Sequence, residues 1–326
     1  MLDGPIFSTM VRFAIPVLFS SIFQQLYNTM DTVIVGHTLG ETALAAIGAA
    51  TPAYDLLMGF ALGIGSGLSI VTARSYGSKD EETLKKSVSG ALVIGVVLTL
   101  ILTLMTRIGL MPFLKLLNTP EDILPEAYEY SSCIMLFMGV TFAYNLCSGI
   151  LRAVGDTRRP LYFLLIAGVV NVIFNLIFVI AFSMDVAGVG WATVISQYIS
   201  AALVLRCLIQ TEADYRLELS KLRVVKHKLC AIIQIGLPAG LQGAIFSISN
   251  VLIQSSINSF GELAVAGNSA AANIEGFIYV AMNSFYQSAQ TFTSQNVGAR
   301  KYDRINKVLL NCLVMVAITG LVLGNG

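Results

Sequence analysis

The sequence predicts an all-α polytopic membrane protein built from two parallel six-helix repeats. The second repeat is incomplete, so that about nine transmembrane helices are present in the 326 residues. Three observations predict this. The composition is apolar and poor in charge. Apolar segments long enough to cross a bilayer follow one another along the chain. The sequence also partly matches itself at a shift of 221 residues.

Hydrophobic residues make up 56% of the chain and charged residues 12%, whereas soluble proteins carry roughly 25% charged residues. Mean hydropathy is +0.76. The net charge of +1 says nothing about nucleic acid; no nucleic-acid partner is expected, and the expected surroundings are a lipid bilayer. The five cysteines (Cys133, Cys147, Cys207, Cys230, Cys312) fall in or beside apolar segments without CxxC spacing. They read as small packing residues and not as a zinc site or a disulfide framework. Residues 1–12 lack a cleavable signal pattern, so the first span is expected to remain a helix.

Nine segments reach the roughly 20 residues a crossing needs: 11–35, 44–73, 88–111, 127–151, 160–183, 187–209, 229–257, 264–295 and 305–324. The first contains Pro16 and, on one helical face, Gln24, Tyr27 or Asn28, and Asp31. The second contains Pro52 and glycines 59, 63, 65 and 67, the marks of bends or close packing in a membrane. The third and fourth are apolar. The fifth holds Asn171 and Asn175 at i, i+4, on one face. The sixth opens with Trp191, an interfacial anchor, and Thr193. The seventh holds Pro238 and Gln242, the eighth Glu275, and the ninth is apolar again.

Loop charge sets the expected orientation. With a cytoplasmic amino terminus, 18 of the 20 Lys and Arg residues fall on the inner side, leaving only Arg107 and Lys115 outside. That is a strong positive-inside bias, and it predicts a multi-pass protein of the cell membrane. In this orientation Asp31, Asn171, Asn175 and Thr193 all converge in the outer half of the bilayer.

The self-match pairs Gly40-Glu41-Thr42-Ala43-Leu44-Ala45 with Gly261-Glu262-Leu263-Ala264-Val265-Ala266. It also pairs Gly77 with Gly298 and Lys86 with Lys307. Matching loops lie on the same side, which makes the repeat parallel. The chain then divides into an amino-terminal lobe at 1–215, a basic linker at 216–228 and the first three helices of a second lobe at 229–326. Gly326 corresponds to position 105. The repeat therefore leads us to expect a truncated chain, with about three further helices in the complete fold.

Asp31 is the most informative residue. A carboxylate in hydrocarbon costs roughly 2.5–3.5 kcal/mol on insertion scales and is seldom there without a use. The plainer reading is an acid near the interface that reaches water. Interhelical hydrogen bonding is the plainer reading of Asn171 and Asn175. A carboxylate set among amides and hydroxyls can be neutralised by a proton, or by sodium, which selects oxygen ligands. Either event makes a switch between a dry, collapsed pocket and a wetter, open one. Asp55 and Glu275 are further acids within spans.

The ordered motifs resemble the multidrug and toxic compound extrusion (MATE) family. They are Ala14-Ile15-Pro16, Gln24-Gln25-Leu26-Tyr27-Asn28, Met30 to Gly36, Gly40 to Gly48, Leu151 to Arg158, and Gln295 to Arg300. The resemblance covers the whole chain as helices one to nine of a twelve-helix fold. It implies export of cationic, amphipathic compounds in exchange for protons or sodium ions. The two lobes would enclose a cavity that opens alternately to each side, in a monomer when complete and without a cofactor. It also implies a cation site at Asp31, Gln24, Tyr27, Asn145, Asn171 and Thr193. Asn175 departs from the family, many of whose members carry aspartate there, so the stoichiometry is open. Gln242 stands near the place of a glutamate that some branches use, and that acid is not carried over. Gln242, Glu275 and Asp55 are left as candidate residues of a substrate cavity.

Two other functions compete. A lipid-linked oligosaccharide flippase of the same general architecture needs a cationic cavity, yet the basic residues lie in loops. An intramembrane enzyme is more remote. Tyr54-Asp55 lacks a GxGD partner. Ser66 among its glycines has no histidine at membrane depth, because His37 and His227 lie in loops. No Walker-type loop is present.

Overall fold

The structure is a computed structural model of the chain. It describes residues 1–326 except 39, 117–118, 120–123, 183, 185, 219–225, 259, 261 and 326. The described residues are helical almost throughout. The helices are α1 (Ile6–Thr38), α2 (Glu41–Gly77), α3 (Glu81–Leu116), α4 (Leu124–Leu136), α5 (Met138–Val154), α6 (Arg158–Asn175), α7 (Val186–Gln210), α8 (Lys226–Asn258), α9 (Glu262–Gly298) and α10 (Asp303–Asn325). A π-helical turn, Leu176–Ala181, continues α6.

Among the described residues, seven helices are long and apolar enough to cross a membrane. The bent pair α4–α5 makes an eighth if it counts as one crossing. Each of the nine segments expected to cross falls on helix among the described residues. The segment expected at 264–295 is the 37-residue α9, long enough but rich in Asn, Gln, Ser and Thr. The expected linker 216–228 overlaps residues outside the description, and its last three residues already belong to α8.

Local chemistry explains the helix boundaries nearest the site. Gly155 ends α5 with φ +102°, in the left-handed region. Asp156 Oδ1 then accepts from the backbone N–H groups of Arg158 and Arg159, both at 3.2 Å, and so satisfies the first turn of α6. The Leu151–Arg158 motif is thus a helix stop followed by a helix start. At its other end α6 widens into the π turn directly after Asn175, with Phe182 N–H donating to Ile177 O at 3.0 Å. Such widenings are frequent at functional positions in helices.

In the first half α5 is the buried centre. Phe142, Ile150 and Leu151 pack with Leu68 of α2, Leu84 of α3 and Leu208 of α7. The second half joins it at several contacts. At the first, α2 and α8 cross through glycines. A Cβ on Gly67 would lie 2.6 Å from Gly236 Cα, and one on Gly243 would lie 2.6 Å from Gly59 O. Only bare backbone permits this approach. At the second, α1 meets α9 through Phe13 and Phe292, edge to face with centroids 5.9 Å apart.

The carboxy-terminal ends of α2 and α9 also meet. A Cβ on Gly77 would strike the carbonyl of Gln295, and one on Gly298 would strike the carbonyl of Arg74. The Gln295 side chain reaches further and donates to Ala153 O at 2.7 Å. The amino terminus lies at the same end. There Lys301 Nζ pairs with Asp3 at 2.7 Å and donates to Leu2 O at 3.0 Å, while Arg304 donates to Gly4 O at 3.1 Å.

Candidate functional site

A cavity of about 290 Å³ opens within the first half, at the end of the helices away from the Gly77–Gly298 contact. Its lining comes from α1 (Gln24, Tyr27, Asp31), α2 (Thr51, Tyr54, Asp55), α4 (Tyr130, Ser131), α5 (Thr141) and α7 (Thr193, Gln197), among others. Among the described residues, two carboxylates line it and no Lys or Arg does.

Asp31 of α1 is held on the cavity wall by α6 and α7. Asn175 Nδ2 donates to Asp31 Oδ1 at 2.5 Å, and Thr193 Oγ1 donates to Oδ2 at 3.4 Å. Asn175 Nδ2 also donates to Asn171 Oδ1 at 3.0 Å. Asn171 Nδ2 donates in turn to Tyr27 Oη at 3.3 Å and to Thr193 Oγ1 at 3.4 Å. Asn171 and Asn175 are fully buried. Their i, i+4 spacing makes the relay possible, because both amides project from one face of α6.

One atom in this network has no partner: Asn175 Oδ1 is buried and unbonded. A buried amide oxygen without a donor is uncommon in folded proteins. Here it sits on the amide that also contacts a carboxylate, within an all-oxygen and amide environment. That donor set fits a proton shared between oxygens or a hard monovalent cation, and not a soft metal. Among the described residues, no group of three or more His, Cys, Asp or Glu could hold a metal ion.

Other expected residues fall differently. Gln24 lines the cavity. Asn145 turns back on its own helix, donating to Thr141 O at 2.9 Å, and no hydrogen bond joins it to Asp31. Asp55 lines the cavity beside Tyr54. Gln242 and Glu275 are exposed on α8 and α9 and do not line it. Ser196 was not singled out in the sequence. It is buried, bonds Thr193 O at 2.8 Å and lies 3.4 Å from Tyr27 Oη, tying α7 to α1. Its only signal is the i, i+3 spacing from Thr193.

Comparison with known proteins gives this arrangement a context. The family model MatE matches residues 16–177 and 238–324. The probable multidrug resistance protein YoeA of Bacillus subtilis (strain 168) is 28% identical over 313 residues, covering 93% of this chain and 67% of that protein. An FAD transporter of Shewanella oneidensis is 25% identical over 329 residues, covering 98% of this chain and 71% of that protein. Among solved structures, a MATE protein crystallised in a bent conformation superposes with TM-score 0.91 at 23% identity, over 98% of this chain and 72% of that one. An outward-facing multidrug resistance MATE transporter gives TM-score 0.91 over 98% and 71%. The chain spans about two thirds of the curated relatives' length. It belongs to the MatE family: it is a multi-pass membrane transporter of the multidrug efflux type, not an enzyme, and works without a cofactor.

Proposed function

We propose that the chain exports cationic, amphipathic small molecules by antiport with protons or sodium ions, with its amino terminus in the cytoplasm. The observation that carries this reading is the Asp31 network: a carboxylate at membrane depth, bonded by Asn175 and Thr193, at the wall of a cavity that, among the described residues, has two acids and no base. A cavity of that sign suits a positive solute better than the anionic flavin nucleotide of the Shewanella relative or a pyrophosphate-linked lipid.

The mechanism follows from the hydrogen-bond pattern. With Asp31 ionised, Asn175 presents its amide N–H to the carboxylate and leaves Oδ1 unused. When a proton or sodium ion arrives at Asp31, rotation of the amide would present Oδ1 instead, either to the new O–H or to the cation. The same motion breaks the Asn175–Asn171 bond, so α6 and α1 repack against each other. The neutralised site tolerates a dry cavity and the ionised one does not. The α2–α9 contact at the opposite end supports a state closed towards the basic loops. By the positive-inside rule those loops face the cytoplasm. The membrane potential adds about 2.3 kcal/mol per 100 mV for each charge that enters.

The test is efflux of ethidium from cells expressing the chain, with proton and sodium gradients collapsed separately. Efflux that one collapse abolishes supports antiport and names the ion. Efflux indifferent to both collapses, or export of flavin nucleotide in preference to ethidium, would overturn the reading.

A further inference from the structure

We infer that Asp55 is the carboxylate that holds the positive group of the transported molecule, leaving Asp31 to the coupling ion, so that one cavity receives both. The inference rests on the antiport reading above and divides its two acids by their surroundings.

Both oxygens of Asp31 already accept from the protein. No described residue hydrogen-bonds or ion-pairs with the Asp55 carboxylate, although it lines the same cavity. A carboxylate within a membrane helix and without a protein partner is costly, and a cationic ligand relieves that cost. The surroundings suit an organic cation. Tyr54 and Tyr130 line the cavity with Asp55, and aromatic rings of this kind attract a positive charge placed over their faces.

A second observation points to a ligand independently. Ser131 lines this cavity, it is 1% exposed, and among the described residues its hydroxyl has no hydrogen-bond partner. A buried hydroxyl left unbonded on a cavity wall is a place for a donor or acceptor of the bound molecule. Asp55 also stands where the two halves touch. Its backbone carbonyl accepts from Ser247 Oγ of α8 at 3.3 Å, and Gly59, one turn further along α2, meets Gly243 of α8. A molecule held at Asp55 therefore bears on the α2–α8 crossing, whereas an ion at Asp31 bears on α1, α6 and α7. Ion and substrate would act on different helices of one cavity.

The experiment is equilibrium binding of ethidium to the purified chain in lipid nanodiscs, followed by its fluorescence, with and without added protons or sodium. Asp55→Asn should raise the ethidium Kd about tenfold, and Asp55→Glu should restore it to within about threefold of wild type. Ser131→Ala should raise it about threefold. Displacement of ethidium by the coupling ion should survive in Asp55→Asn and vanish in Asp31→Asn. Ethidium binding unchanged in Asp55→Asn, or lost equally in Asp55→Asn and Asp55→Glu with unaltered gel-filtration behaviour, would overturn the role given to Asp55 alone. Wild type that binds ethidium without response to either ion would overturn the antiport reading and leave Asp55 as a simple cation anchor.

Discussion

Gly77 and Gly298, 221 residues apart, make reciprocal contacts: a Cβ on Gly77 would meet Gln295, and a Cβ on Gly298 would meet Arg74. Arg74 and Gln295 are themselves 221 residues apart. The same position in each half thus rests on the same position of the other, as in an isologous contact between two copies. The two glycines matched in the sequence repeat owe their place to this close approach.

Valine at either glycine should wedge α2 from α9. Overpacking of this kind costs about 1–3 kcal/mol. Thermal unfolding in detergent should show Gly77→Val and Gly298→Val each lowering the apparent midpoint by several degrees. Gly109→Val should be neutral, since nothing lies within 4 Å of a Cβ there. Equal midpoints for all three would mean that the contact does not contribute.

Asn171→Ala and Thr193→Val each remove hydrogen bonds from the network around Asp31. Interhelical bonds in membranes contribute about 0.6–2 kcal/mol, which corresponds to roughly 3–30-fold in affinity. The apparent affinity for the coupling ion should fall by that range in ion-titrated transport. Asn145→Ala should change it less than twofold, because its amide is bonded to Thr141. A large loss in Asn145→Ala alongside small ones in the other two would contradict this geometry.

Asn175→Asp places a second carboxylate within hydrogen-bond distance of Asp31. Two such acids repel unless a cation lies between them. The number of coupling ions per transported molecule should rise by one, as read from the gradient that just balances transport in proteoliposomes. An unchanged stoichiometry would remove Asn175 from the ion site.

The ion pair of Asp3 with Lys301 bridges the amino terminus and the α9–α10 turn. The hydrogen bond and charge of Lys301 hold the Asp3 carboxyl below its ordinary value. Its folded pKa being depressed, the pair is intact above the ordinary carboxylate range and is lost as pH falls through the lowered value. Amide exchange of residues 2–5 should therefore be flat from about pH 5 to about pH 8 after correction for intrinsic rates, and Lys301→Met should speed it throughout. A step near neutrality would assign a different group to this contact.

Much of this site was legible because polar residues are scarce in these spans. Asp31, Asn171, Asn175 and Thr193 stand out singly, and the i, i+4 spacing of the asparagines predicts a shared face. Direction was not legible. Whether Asn145 faces Asp31 or its own helix depends on a rotamer that spacing does not determine. Ser196 was hidden because serines in apolar helices commonly bond back to their own turn, as Ser20 does to Pro16 O. The glycines of α2 announce close packing without naming α8 as the partner. Neither Gly nor Pro marks the π turn after Asn175, and Gly139, two residues past the break at Phe137, is a weak mark of it.

The most direct test of the account is Asp31→Asn in proteoliposomes, with ethidium transport driven in turn by a proton and by a sodium gradient. The account predicts that wild type is driven by one of the two, and that Asp31→Asn still binds ethidium at Asp55 but is driven by neither. Full gradient-driven transport in Asp31→Asn would contradict it.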